Sequence, residues 1–134
     1  MTDRYYADDL VGLEFESFQP IAYFDKHMDS IRVFTRDCSV TEVRFNGAVT
    51  LHQNNDFGHD GEPLYVGFTI KGIKFLLERA GLPQEGVVEL SDIVNRLVKI
   101  DPASTMAAAI QLAFSYTKAT AQDRHLKVDF SEAA

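Results

Sequence analysis

The chain has 134 residues, with 13 Lys and Arg against 20 Asp and Glu and a net charge of −7. Apolar residues make up 46% and charged residues 25%, a globular balance that excludes a disordered tract, and the length is enough for one domain (1–134) with a core that needs no staples. The cations are scattered, the nearest to a cluster being Lys71, Lys74 and Arg79, so no phosphate-neutralising patch is present and nucleic acid is not an expected partner.

Residues 1–10, MTDRYYADDL, are polar and acidic, unlike a secretory signal or a basic transit peptide. No apolar run reaches the roughly 18–20 residues that span a bilayer, so no membrane partner is expected. Cys38 is the single cysteine, and nothing asks for an oxidising compartment. The cytoplasm is the expected location.

In chain order, Val11, Leu13 and Phe15 alternate with Gly12, Glu14 and Glu16, which predicts a half-buried strand. After Pro20, IAYF and SIRVF predict two strands joined by the polar DKHMD. SVTEVRFNGAVTL follows, and its Asn46-Gly47 is the strongest hairpin signal of the chain. A two-residue turn there pairs Phe45 with Ala48 and puts Val43 and Val49 on opposite faces. A three-residue loop, 45–47 with a left-handed bulge at Gly47, pairs Val43 with Val49 and joins the apolar faces. The second is preferred, because a one-residue slip exchanges core and solvent positions throughout.

The segment TLHQNNDFGHDGEPLYVGF then concentrates His52, Asn54, Asn55, Asp56, His59, Asp60 and Glu62. Beyond it LYVGFTI predicts a strand with Leu64, Val66, Phe68 and Ile70 on one face. At Ile73 the period changes. Ile73, Leu76, Leu77 and Ala80 form a helical stripe that Gly81 and Leu82-Pro83 end, and VVEL is too short to assign. Ser91 is placed to cap a short helix carrying Ile93, Val94, Leu97 and Val98. Asp101-Pro102 ends that helix and is placed to start the next, on which Met106, Ala109, Ile110, Ala113 and Phe114 share a face. In HLKVDF, Leu126, Val128 and Phe130 alternate, as in a last strand or an ordered arm. The expected fold is therefore α+β: an antiparallel β-meander over roughly residues 10–70, then two to three helices packed on the sheet, with a possible C-terminal strand.

Three segments, YFDKHMDSIRVF (23–34), SVTEVRFNGAVTL and VGFTIKGIKFLL (66–77), resemble a small bacterial β-meander family of unknown function. Its members open on a hairpin of the type Tyr-Asp-x-x-x-Asp-Ala-Leu-Tyr-Ile, and Asp25 and Asp29 match its two aspartates. Phe24 stands where tyrosine is usual, Lys71 where an acid is common, and the loop from His52 to Pro63 is longer. The resemblance covers about residues 23–77 and implies a fold; it implies no activity and no catalytic residues.

Two readings of the loop at 52–62 compete. His52, Asp56, His59 and Asp60 offer nitrogen and oxygen ligands suited to one divalent transition metal ion, the basis of a metal-dependent, hydrolase-like enzyme or a small-ligand site. Against this, the spacing matches no known ligand signature, and Asn, Asp and Gly are the residues that long hairpin loops use for their own turns. The second reading is preferred, so no cofactor and no catalytic residue is expected. Asp25 and Asp29 bracket a turn, and Glu14 and Glu16, two apart on one strand face, meet the separation of an acid/base pair, but edge charges that prevent sheet pairing explain these carboxylates as well. Cys38 lacks a legible histidine partner.

Ten phenylalanines and five tyrosines, with no tryptophan, are a heavy aromatic load. With helices on one side, the other sheet face would present Tyr23, Phe34, Val40 and Tyr65, and Phe57 stands at a polar loop tip. The leading expectation is a non-enzymatic interaction module, a homodimer with room for another protein partner, that docks through Tyr23, Phe34, Tyr65 and Phe57.

Overall fold

The computed structural model describes residues 19–58, 63–121 and 125–131; the strand expected at Val11–Phe15 lies outside them. The fold is α+β. Alternating apolar residues build a five-stranded antiparallel sheet from β1 (Ile21–Asp25), β2 (Ser30–Phe34), β3 (Val40–Arg44), β4 (Val49–Asn54) and β5 (Tyr65–Lys71). Three helices follow, α1 (Ile73–Ala80), α2 (Leu90–Ile100) and α3 (Thr105–Ala121), with a separate two-stranded ribbon of β6 (Val87–Glu89) and β7 (Lys127–Asp129). VVEL thus contributes a strand, and the C-terminal alternation pairs with it rather than with the main sheet. None of the described helices is long and apolar enough to cross a membrane.

The strand order is β1-β2-β5-β4-β3. The pairs β1–β2, β3–β4 and β4–β5 are hairpin neighbours, as in a meander, but β2 lies against β5, which gives the order of a Greek key. Residues 35–39 therefore cross the sheet end, about 14 Å at ordinary strand spacing. They are held there by backbone: the Thr35 N–H donates to the Val66 carbonyl at 2.8 Å and the Asn55 N–H to the Ser39 carbonyl at 3.0 Å.

The β3–β4 hairpin takes neither expected register. Val43 pairs with Leu51 and Arg44 with Thr50, so the loop is 46–48. Gly47 is not left-handed; the Asn46 carboxamide oxygen instead accepts from the Ala48 and Val49 N–H groups at 2.8 and 3.0 Å. This side-chain turn displaces the loop by one residue. Val43 still shares a face with Val49, which is the feature the apolar pattern demands.

In β5 the expected alternation is interrupted. Leu51 pairs with Phe68 but Gln53 pairs with Tyr65, so β5 carries one extra residue, a bulge at Val66-Gly67. Tyr65 is thereby turned to the helical side, its ring 5.1 Å from that of Tyr116 on α3.

The core lies between the sheet and the helices. Ile31, Val33, Val49, Leu51, Phe68 and Ile70 from the sheet meet Ile73, Leu77, Ile93, Leu97, Ile110 and Ala113. Burial of this kind, at about 25 cal/mol per Å² of apolar surface, drives the assembly. Helix α1 ends at Gly81, whose left-handed backbone (φ 72°) lets the Gly81 and Leu82 N–H groups donate to the Glu78 and Leu77 carbonyls. Its start is capped from a distance. The Asp29 carbonyl accepts from the Gly72 and Ile73 N–H groups at 2.9 and 3.1 Å, and the Asp29 carboxylate from the Lys74 N–H at 3.0 Å.

The other two helix starts differ from expectation. Helix α2 begins at Leu90, preceded by Glu89, so Ser91 lies inside it and is not its cap. Helix α3 begins at Thr105, after a turn containing Pro102, and its cap is Ser104, whose hydroxyl accepts from the Ala107 N–H at 3.0 Å. Pro102 therefore precedes the helix instead of opening it.

Candidate functional site

The sheet face away from the helices holds the chain's most unusual chemistry. Period-two alternation puts Ile21, Tyr23, Arg32, Phe34, Glu42, Thr50, His52 and Thr69 on it. His52 belongs to β4 and not to the loop, and it is 0% exposed. Its Nε2 is 2.8 Å from the Thr69 hydroxyl, one accepting and the other donating according to the tautomer. The Phe34 ring stacks on it with centroids 4.6 Å apart.

Phe34 and His52 are on β2 and β4, with β5 between them. They meet because the residue between is Gly67, the direct partner of Phe34. A methyl group at Gly67 would run into the Val33 carbonyl oxygen and stand 2.8 Å from His52 Nδ1. The two rings take the place of the missing side chain, the cross-strand cover that aromatics give to glycine in sheets.

Above them, Arg32 of β2 reaches over β5 and β4 to Glu42 of β3, with Nη2 and Oε2 3.0 Å apart. The guanidinium also lies 5.5 Å from the Phe34 centroid. Two buried nitrogens, His52 Nδ1 and Arg32 Nε, have no hydrogen-bond partner among the described residues. The His52 pKa falls from 6.5 to about 4, first because burial penalises the charged ring and then because of the Arg32 charge. Glu42 and the Val33 carbonyl act in the opposite direction, although that carbonyl does not align with Nδ1 as a hydrogen bond.

The proposed ligand quartet is only partly in view. His52 is sealed in the sheet, Asp56 is on the exposed loop, and His59 and Asp60 lie outside the described residues. Among the described residues no three of His, Cys, Asp and Glu come together as a metal site. The described ends of the loop use turn chemistry: the Asn54 carboxamide oxygen accepts from the Asp56 N–H at 2.8 Å and its NH₂ donates to the Pro63 carbonyl at 3.1 Å. Asp25 and Asp29 are likewise accounted for, Asp25 accepting from the Met28 N–H at 3.1 Å and Asp29 capping α1. Family models, curated proteins and solved structures were compared with this chain, and none matches.

Of the expected contact residues, Tyr23 (38% exposed) and Phe34 do share the open face, 6.4 Å apart, joined by Ile21 (46%). Phe57 is 54% exposed at the loop tip. Tyr65, turned by the bulge, packs on α3 and does not belong to that surface. Arg32, Glu42, Thr69 and Gly67 were missed by sequence reasoning. Only Gly67 carried a signal, as an isolated glycine inside an apolar strand, which marks a bulge or a close approach.

Proposed function

We propose that this protein is a cytoplasmic, non-enzymatic interaction module that self-associates as a dimer. The observation that carries the reading is the placement of Ile21 and Tyr23, exposed beside Phe34, on the sheet face that no described helix covers. The chemistry of His52 supports it too. A buried imidazole with a pKa near 4 is matched neither in access nor in basicity to proton transfer at neutral pH.

Native mass spectrometry of the purified protein, with and without prior chelation, tests the reading. The expected result is a dimer whose mass is indifferent to chelator. A chelator-sensitive metal ion on each chain would overturn it in favour of a metal-dependent enzyme, and a bare monomer would overturn the self-association.

A further inference from the structure

Among the described residues, strand β3 is an edge of the sheet, and its register fixes which backbone groups face outward. The Phe45 N–H donates to the Val49 carbonyl at 2.9 Å and the Asn55 N–H to the Ser39 carbonyl at 3.0 Å. Odd-numbered residues of this strand therefore bond inward to β4, and Val40, Glu42 and Arg44 point their N–H and C=O groups away from the sheet. Glu42 and Arg44 also share the open face, being paired with His52 and Thr50.

We propose that two copies of this chain join through β3, antiparallel about a two-fold axis at Val43, into one continuous ten-stranded sheet. The inference rests on the self-association reading but places the contact at the β3 edge, opposite β1 in the sheet order, so the face of Ile21, Tyr23 and Phe34 stays open for another partner. Only registers that set outward groups against outward groups complete the ladder. Among these, centring on Glu42 would oppose two like charges. Centring on Val43 sets Glu42 of each copy directly opposite Arg44 of the other, in a hydrogen-bonded pair, and Val43 opposite itself in a non-hydrogen-bonded pair.

The charges fit that register on both copies at once. Arg44 has no hydrogen-bond or ion-pair partner among the described residues, and Glu42, drawn inward over β4 toward Arg32, has one carboxylate oxygen bonded to it, which leaves the other for a cation on the edge side. In the dimer Glu42 lies between Arg32 of its own chain and Arg44 of the second copy. Phe45, 41% exposed, comes opposite Thr41 of the second copy on the helical side, where Thr41 is also exposed. Edge charges of a single sign prevent such pairing; opposite signs two residues apart select one antiparallel register instead.

The test has three arms. Sedimentation equilibrium of the unaltered protein should show a dimer. Arg44→Glu places like charges opposite each other twice per dimer and should weaken dimerisation at least about tenfold, with the circular dichroism spectrum unchanged. In a Cys38→Ser background, Val43→Cys should form an intermolecular disulfide on mild oxidation, because non-hydrogen-bonded partners stand about 4.5 Å apart at Cα. Thr41→Cys in the same background should not. A monomeric wild-type protein would overturn self-association and this inference together. A wild-type dimer that Arg44→Glu leaves intact, with no cross-link at Val43→Cys, would overturn the β3 edge alone.

Discussion

At the scale of single residues, His52 and Gly67 are positions where the sheet leaves little room for change. The folded pKa of His52, about 4, lies below its ordinary 6.5, so between those values the unfolded chain binds a proton that the folded chain does not. Its neutral form stabilises the fold fully above pH 6.5, and this stability is lost as pH falls toward 4, by about 3 kcal/mol in all. Urea denaturation of the wild type and His52→Gln at pH 7.5 and pH 4.5 should show the wild type losing more stability than the variant. Equal losses would mean that His52 is hydrated or otherwise paired. Gly67→Ala forces a methyl group against the Val33 carbonyl and His52 Nδ1. The expected cost is at least about 3 kcal/mol, since overpacking is met here by backbone and cannot be relieved by a rotamer change. A urea midpoint close to wild type would contradict the close approach.

At the scale of elements, the helix ends separate two positions that look alike in sequence. Ser104 caps α3, while Ser91 lies within α2. Ser104→Ala should therefore cost about 1 kcal/mol and Ser91→Ala less than about 0.5 kcal/mol, both read from thermal unfolding. The reverse order would restore the sequence-based assignment. Ser and Thr near an apolar stripe nominate themselves as caps, but which of them is used depends on where the preceding segment releases the chain. For α2 that segment is β6, whose pairing with β7 runs to Glu89 and fixes the helix start immediately after it.

For the whole molecule, closure depends on the C-terminal ribbon. Phe130 is buried, and its ring lies 5.2 Å from that of Phe24 on β1, so the last described segment covers the β1 end of the core. Phe130→Ala should destabilise the protein by about 3–5 kcal/mol, measured by urea unfolding monitored by circular dichroism. A loss under about 1 kcal/mol would show that the ribbon is an appendage. The Arg32–Glu42 bridge is different in kind. It is partly exposed to solvent and contributes little by itself, yet it ties β2 to β3 across two intervening strands.

Local chemistry made several elements legible in the sequence. Alternation located β1 to β5, the i, i+3, i+4, i+7 stripe with Gly81 delimited α1, and the small apolar face of 106–114 announced α3. Those patterns follow from residues a few positions apart, which one sequence displays directly. The strand order, the bulge at Val66-Gly67, the capping of α1 by Asp29 and the sealing of His52 were decided only in three dimensions. Each depends on partners far apart in the chain: Asp29 and Lys74 meet across 45 positions, and Phe34 reaches His52 only because β5, with Gly67, inserts between β2 and β4. Composition could announce that the aromatic residues need cover. Non-local strand pairing determined that Phe34 covers a glycine and a histidine, that Tyr65 turns to the helices, and that Ile21 and Tyr23 remain in solvent.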